Sequence, residues 1–224
     1  TATITLRVRD NGGTANSGVD ASPTQTFTIA ITHANVVPTL TNPTIAYATA
    51  GNTQLHAGGA TLAGLVSISD AQGALAKAVP VDPDGPNPPS VIAASGSSAN
   101  GGNFSIATTG AFSYVPPAGY TGTDTFTYQV TDGASPTPGN VTGTVSITVS
   151  QMVWYVRDIV DANNPAGGDG RSNNAFETLT AAQAGSTANS IVFVFRGNTG
   201  TTPLGGGIVL KNGQKLHGEG IGLT

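Results

Sequence analysis

The stretch that decides the fold is Phe112–Gly133, FSYVPPAGYTGTDTFTYQVTDG. Phe112-Ser113-Tyr114-Val115 and Thr125-Phe126-Thr127-Tyr128-Gln129-Val130 place an aromatic or β-branched residue at every second position. That period of two is what a strand with one buried face requires. Pro116-Pro117 ends the first run because proline has no N–H to give a ladder. Gly119 and Gly122 permit a tight return. The pattern predicts a hairpin, with Thr131-Asp132-Gly133 turning the chain after its second strand. Asp124 and Asp132 read as residues that hold turns, and the stretch contains no catalytic pattern.

Working outward, the composition fits an all-β chain. Charged residues make up 9% of the 224, against roughly 25% in ordinary soluble domains, and glycine is well above its usual share. Low charge with ample hydrophobicity excludes the profile of a disordered chain. A net charge of −4 and a pI near 5.1 argue against a surface for nucleic acid or an anionic membrane, either of which wants a basic stripe. No cysteine is present, so disulfide staples, thiolate metal sites and thiol catalysis are all ruled out. No apolar run reaches the ~18 residues of a membrane span. Thr1-Ala2-Thr3-Ile4 is already strand-like and lacks the basic start of a signal peptide. The chain is expected to be a piece of something longer, cut at both ends in mid-pattern.

Residues 1–32 predict one hairpin. Ile4, Leu6 and Val8 alternate with polar residues, Asp10-Asn11-Gly12-Gly13 opens a loop, and Phe27, Ile29 and Ile31 alternate again. A lone hairpin is marginal in water, so these strands need a partner sheet. They are either the last two strands of a sandwich or a complement to another chain. His33–Pro43 reads as a proline-containing joint. Residues 33–150 predict a complete sandwich of about seven strands. Ile45 and Tyr47 open it; Leu62, Leu65, Val66 and Ile68 follow, then Val91-Ile92 and Phe104-Ser105-Ile106, and Val141–Val149 closes it. The ends of the two units parallel each other. Val8-Arg9-Asp10-Asn11-Gly12 with Phe27–Ile31 matches Val130-Thr131-Asp132-Gly133 with Val145–Val149, which is an internal repeat with a partial first copy.

After Ser150 the texture changes. Trp154-Tyr155-Val156 and Ile191–Phe195 predict strands, the second apolar enough to be covered on both faces. Asn174–Ala184 predicts a helix capped by Asn173 or Asn174 and ended by Gly185, with Phe176, Leu179 and Gln183 on one face. Gly205–Leu210 and Gln214–Gly218 predict two short strands around a Lys211-Asn212-Gly213 turn.

The middle unit resembles bacterial cadherin-like or immunoglobulin-like tandem repeats. The motifs that carry the likeness are Gly110–Pro116, Gly119–Tyr128 and Val130–Gly133. Residues 151–224 resemble the entry of pectin-lyase-like right-handed β-helices through Trp154-Tyr155-Val156, Gly168–Ser172 with Ala175–Leu179, and Leu210–Gly218. Together these imply Ig/cadherin-like β-sandwich repeats followed by the first turns of a parallel β-helix with one capping helix. They further imply a large secreted or surface-attached bacterial protein, often an adhesin.

Candidate chemistry is sparse. Asp82-Pro83-Asp84-Gly85 sets two carboxylates two residues apart in a stiff loop, so Asp82 and Asp84 are the candidate Ca²⁺ ligands; Asp before Pro or Gly also shapes turns routinely. A polysaccharide-cleaving site needs a carboxylate pair or a metal, and Glu177, Glu219, Asp158, Asp161 and Asp169 form no such pattern. His33, His56 and His217 have no ligand spacing. Tyr120 and Trp154 are candidates for stacking on sugars or for core roles. The expectation is a non-enzyme: a stalk, spacer or fibre subunit outside the cell. Its partners would be neighbouring repeats or identical chains, joined end to end or by strand addition. The alternatives are a glycan-binding adhesin module and a truncated β-helix polysaccharide enzyme. Neither nucleic acid nor a membrane span is expected.

Overall fold

The computed structural model describes residues 1–32, 34–59, 67–85, 88–161, 164–196 and 207–219. It forms two compact units, Thr1–Asn35 and Val36–Thr224. The first is the expected hairpin: β1 (Ala2–Leu6) pairs antiparallel with β2 (Gln25–Ile29), with Ile4 opposite Phe27. Val8 and Ile31 lie beyond its strands. An isolated bridge, Arg9 to Ala21, extends the pairing towards the loop.

The second unit opens with β3 (Thr39–Leu40), β4 (Thr44–Gly51), β5 (Gln54–Ala57) and β6 (Ser67–Asp70). Leu62, Leu65 and Val66 lie outside the described residues, as does His33. A short helix that the sequence reading did not anticipate, α1 (Ala74–Ala78), buries Ala74 and Ala78. Lys77 on it sits 3.7 Å above the Tyr47 ring and 2.8 Å from Asp70, which fastens the helix to β4 and β6. Then come β7 (Pro80–Val81), β8 (Ser90–Val91), β9 (Ala94–Ser97), β10 (Asn103–Ile106), β11 (Phe112–Val115), β12 (Gly122–Thr131) and β13 (Asn140–Val156).

Apart from β3 and β7, which pair with each other in a two-stranded ladder, these strands make two sheets. One runs β6-β5-β11-β10-β9; the other contains β8-β12-β13, with β4 also paired to β13. The inward positions alternate as the pattern predicted, and Phe112, Tyr114, Phe126, Tyr128, Val130, Val145 and Ile147 are all buried in one core. Phe112 packs edge-on against both Tyr47 and Phe126, at 4.8 and 5.4 Å between ring centroids.

The expected hairpin across Phe112–Val130 is corrected. β11 pairs with β10 and β5, whereas β12 pairs with β13 and β8. The Pro-Pro-Ala-Gly-Tyr connection therefore carries the chain from one sheet to the other. The reason is non-local: β12 makes an unbroken antiparallel register with β13 from Gly122↔Val149 to Thr131↔Asn140, which β11 is too short to match.

β13 is 17 residues long and does not stop where the sandwich stops. The register slips between Ser150 and Met152, with Gln151 at φ 49°. Beyond that bulge, Val153–Val156 pair in parallel with β14 (Ile191–Val194), which pairs in parallel with β15 (Lys215–Gly218). Side chains leave this sheet on both sides. Val153, Tyr155, Ile191 and Phe193 bury on one face, and Trp154, Val156 and Val192 on the other.

Two further expectations are corrected. The helix α2 spans Leu179–Gly185, and its cap is Thr178, whose hydroxyl accepts from Ala181 N at 3.0 Å. Asn173, Asn174 and Phe176 precede it. Phe176 cannot be helical because its backbone is used in a parallel bridge with Val156: its N–H donates to Tyr155 O and its carbonyl accepts from Arg157 N. Residues 207–210 of the expected Gly205–Leu210 strand are irregular, and 205–206 lie outside the described residues. Val209 N–H donates to the Gln183 side chain at 2.7 Å in place of a ladder.

Candidate functional site

Two groups of buried polar residues in the second unit tie its parts together, and a third, Gln214 with Ser186 and Ser190, braces the loops beside the parallel sheet. The first is Asp124. Its carboxylate is fully buried on β12. It accepts from Ser98 Oγ at 2.5 Å, Tyr114 Oη at 2.7 Å, Thr125 N at 2.8 Å and Asn100 N at 2.9 Å. Tyr114 belongs to the opposite sheet and Ser98 follows β9 there, so Asp124 ties the two layers together instead of holding a local turn. Burial by itself raises a carboxyl pKa. The donors outweigh it, and the group sits below the usual carboxylate range. The same environment pushes the Tyr114 hydroxyl up, through burial first and Asp124 second. Asp132 does hold its loop, accepting from Ala134 N and Gly139 N at 2.9 Å each.

The second place is the junction where β13 leaves the sandwich. Asn52 and Thr53, between β4 and β5, and Gln54, the first residue of β5, are fully or almost fully buried. Asn52 has φ 62°, a left-handed conformation that asparagine tolerates better than most side chains. Its side-chain oxygen accepts from Gly119 N at 2.8 Å, and its carbonyl accepts from Ser172 N at 2.8 Å. Ser172 Oγ accepts in turn from Gln54 N at 3.1 Å. Thr53 Oγ1 lies 2.7 Å from Tyr155 Oη. Burial pushes the Tyr155 pKa up to about 12, with the Thr53 contact opposing the shift. The sequence reading missed this cluster. Its only local signal is Gly51-Asn52, a turn dipeptide between two alternating runs.

Asp82 and Asp84 do share one loop. Asp84 Oδ2 accepts from Val36 N at 3.0 Å, and Asp82 Oδ1 from Asp84 N at 3.4 Å. Asp82 Oδ2 is buried without a hydrogen-bond donor. A Cβ at Gly85 would stand 2.0 Å from that oxygen, so a side chain there would displace the Asp82 carboxylate from its present position. Ca²⁺ takes six to eight oxygen ligands. Among the described residues no group of three or more His, Asp and Glu stands together. The two aspartates would thus be a minority of any donor set, with carbonyls and water as the rest.

The remaining candidates are dispersed. Trp154 is buried, stacked on Phe176 at 5.8 Å, and offers no open ring face to a sugar. Tyr120 is half-buried, and its hydroxyl donates to Thr123 O. Glu177 accepts from Gly167 N and Glu219 from Arg196 N, each bracing a loop. Asp161 pairs with Arg157 through two contacts, and Asp169 pairs with Arg171. His56 Nε2 lies 2.7 Å from Ser69 Oγ between paired strands.

No helix among the described residues is long and apolar enough to cross a membrane. Comparison with curated proteins and with solved structures returns no match. Residues 35–151 match the family model of the bacterial cadherin-like domain, which is the extent of the sandwich, and the chain belongs to that family.

Proposed function

We propose that the chain is a non-catalytic structural segment of an extracellular or surface-attached bacterial protein, in which the sandwich continues into a parallel-stranded stalk. Membership of the family supports the setting, since bacterial cadherin-like domains are typically extracellular or surface-associated modules of structural or adhesion type. The observation that carries the mechanical part is β13. One strand serves the sandwich ladder as far as Met152, across the bulge at Gln151, and the parallel sheet from Val153 to Val156. A load along the chain then passes through backbone hydrogen bonds with no flexible linker between the two parts.

Three parallel strands in register, with Tyr155, Phe193 and His217 stacked at one position, support reading residues 151–224 as the entry of a parallel β-helix. In such a coil each strand repeats the previous one, and the stack grows one rung at a time. β15 has a neighbour on one side only among the described residues. A further rung, from the same protein or from an identical chain, would add at that edge. The DPDG loop is the place we assign to a weakly bound Ca²⁺, through Asp82 and Asp84.

Surface labelling tests the reading. An amine-reactive reagent that cannot enter cells should modify Lys215, whose residue is exposed, on intact bacteria that make the protein. Labelling that appears only after lysis would overturn the extracellular setting. Steady release of unsaturated sugars from uronate polymers by the purified chain would overturn the non-catalytic one.

A further inference from the structure

The first unit repeats the last two strands of the sandwich in the same register, yet its apolar face is bare. Aligning Asp10 with Asp132 places Ile4 on Phe126 and Leu6 on Tyr128. The ladders agree with that alignment independently. Ile4 faces Phe27 where Phe126 faces Val145, and Ala2 faces Ile29 where Asp124 faces Ile147. The turn agrees too. Asp10 Oδ1 accepts from Gly12 N at 2.9 Å as Asp132 Oδ1 accepts from Ala134 N at 2.9 Å. Asp10 N donates to Asp20 O as Asp132 N donates to Gly139 O.

Burial is where the two hairpins part. Phe126, Tyr128, Val145 and Ile147 are 4%, 2%, 0% and 0% exposed, whereas Ile4, Leu6, Phe27 and Ile29 are 37%, 55%, 47% and 44% exposed. In the complete copy the inward face is covered by the β5-β11-β10 layer, and the flanks are taken by β4 beside β13 and β8 beside β12. The geometry points to the same kind of occupant for the bare face: a cadherin-like polypeptide segment equivalent to residues 44–115, which supplies the opposing sheet and the two flanking strands. A second copy of the hairpin would not serve, because it carries neither the opposing layer nor a strand equivalent to β4. One difference follows from the alignment. Ala2 stands where Asp124 stands, so the completed unit would lack the buried carboxylate that ties the layers in the other sandwich.

This inference rests on the two hairpins alone, and surface labelling can fail while it stands. The test is hydrogen–deuterium exchange on the full chain, alone over a range of concentrations and with a polypeptide of residues 34–121 as probe. With the probe, the amides of Ala2–Leu6 and Gln25–Ile29 should slow by about tenfold or more. With rising concentration of the chain alone they should not change. The Leu6→Asp/Phe27→Asp variant should lose the protection while exchange in β12 stays as it was. No slowing with the probe, or slowing through self-association, would overturn the assignment. A second measurement exchanges the faces: Phe126→Ile/Tyr128→Leu/Val145→Phe puts the hairpin's residues into the complete sandwich. Retained cooperative unfolding is the expected result, and loss of it would deny that the two faces are equivalent.

Discussion

Thr53 and Tyr155 stand 102 residues apart in sequence and 2.7 Å apart in space, with both residues fully buried. Thr53 belongs to the turn between β4 and β5, and Tyr155 to the part of β13 that has already left the sandwich. Their contact closes the junction from inside, while β13 spans it from outside. Sandwich and parallel sheet should accordingly unfold as one body.

Tyr155→Phe removes the hydroxyl and keeps the ring on Phe193 and Phe195. Thr53 Oγ1 retains only a long bond to Gly51 O at 3.4 Å, so the expected loss is about 1–2 kcal/mol. Thr53→Val should cost a similar amount, and the double variant less than the sum, as contacting residues do. Chemical denaturation followed by tryptophan fluorescence and by far-ultraviolet dichroism should give coincident transitions in every variant. Two separated transitions would show that the halves are independent.

Alkaline pH probes the same contact. The Tyr155 pKa is raised to about 12 in the folded chain, and burial also raises Tyr47, Tyr114 and Tyr128. A raised folded pKa means the neutral form is favoured by the fold. The stabilisation is complete below the unfolded tyrosine value of about 10 and is lost as pH rises through the folded value. Stability should therefore hold to about pH 10 and fall beyond it. In Tyr155→Phe the fall should be shallower, by the contribution of that one group. An unchanged slope in a denaturation series between neutral pH and pH 12 would contradict the assignment.

Asp124 sets the acid side. Its pKa is lowered in the fold despite burial, so its contribution is present above the unfolded value of about 3.9 and lost as pH falls through the folded one. Asp124→Asn leaves the hydroxyls of Ser98 and Tyr114 with a weaker acceptor and should cost about 2–3 kcal/mol. That is a fall in Tm of roughly 4–12 °C for a chain of this size. Asp124→Ala should cost more, since three or more donors lose their acceptor together. Calorimetry at pH 7 and in steps below pH ~3.9 checks both points: the gap between wild type and Asp124→Asn should narrow only in that acid range, as the wild-type carboxylate protonates.

Burial was legible in the sequence where it follows a short period, and pairing was not. Phe112, Tyr114, Phe126, Tyr128 and Val130 announced their inward faces by alternation. That β11 and β12 belong to different sheets depends on which distant strand completes each ladder, and Pro116-Pro117-Ala118-Gly119 suits a hairpin or a crossover equally well. The expected helix start failed for a related reason. Asn174 and Phe176 have the spacing of a helix, but the backbone of Phe176 is claimed by Tyr155 and Arg157, and Thr178 becomes the cap. The junction cluster was invisible because Asn52, Thr53 and Gln54 look like an ordinary polar turn. Their burial is created by Ser172 and Tyr155, over a hundred residues later.

Calcium provides the test of the DPDG loop. A ligand that binds only the folded state stabilises it in proportion to the logarithm of its concentration over Kd, about 1.4 kcal/mol at ten times Kd. Millimolar CaCl₂ should raise the Tm of the chain by a few degrees. Asp82→Asn should abolish that response at little cost without the ion, since Asp82 Oδ2 receives no hydrogen bond. Asp84→Asn differs: it weakens the bond from Val36 N and should lower Tm in EDTA as well. The contrast separates a ligand from a loop brace. Equal Tm in CaCl₂ and EDTA for the unaltered chain would remove the ion from the account and leave Asp84 as the tether that holds Val36 to the loop.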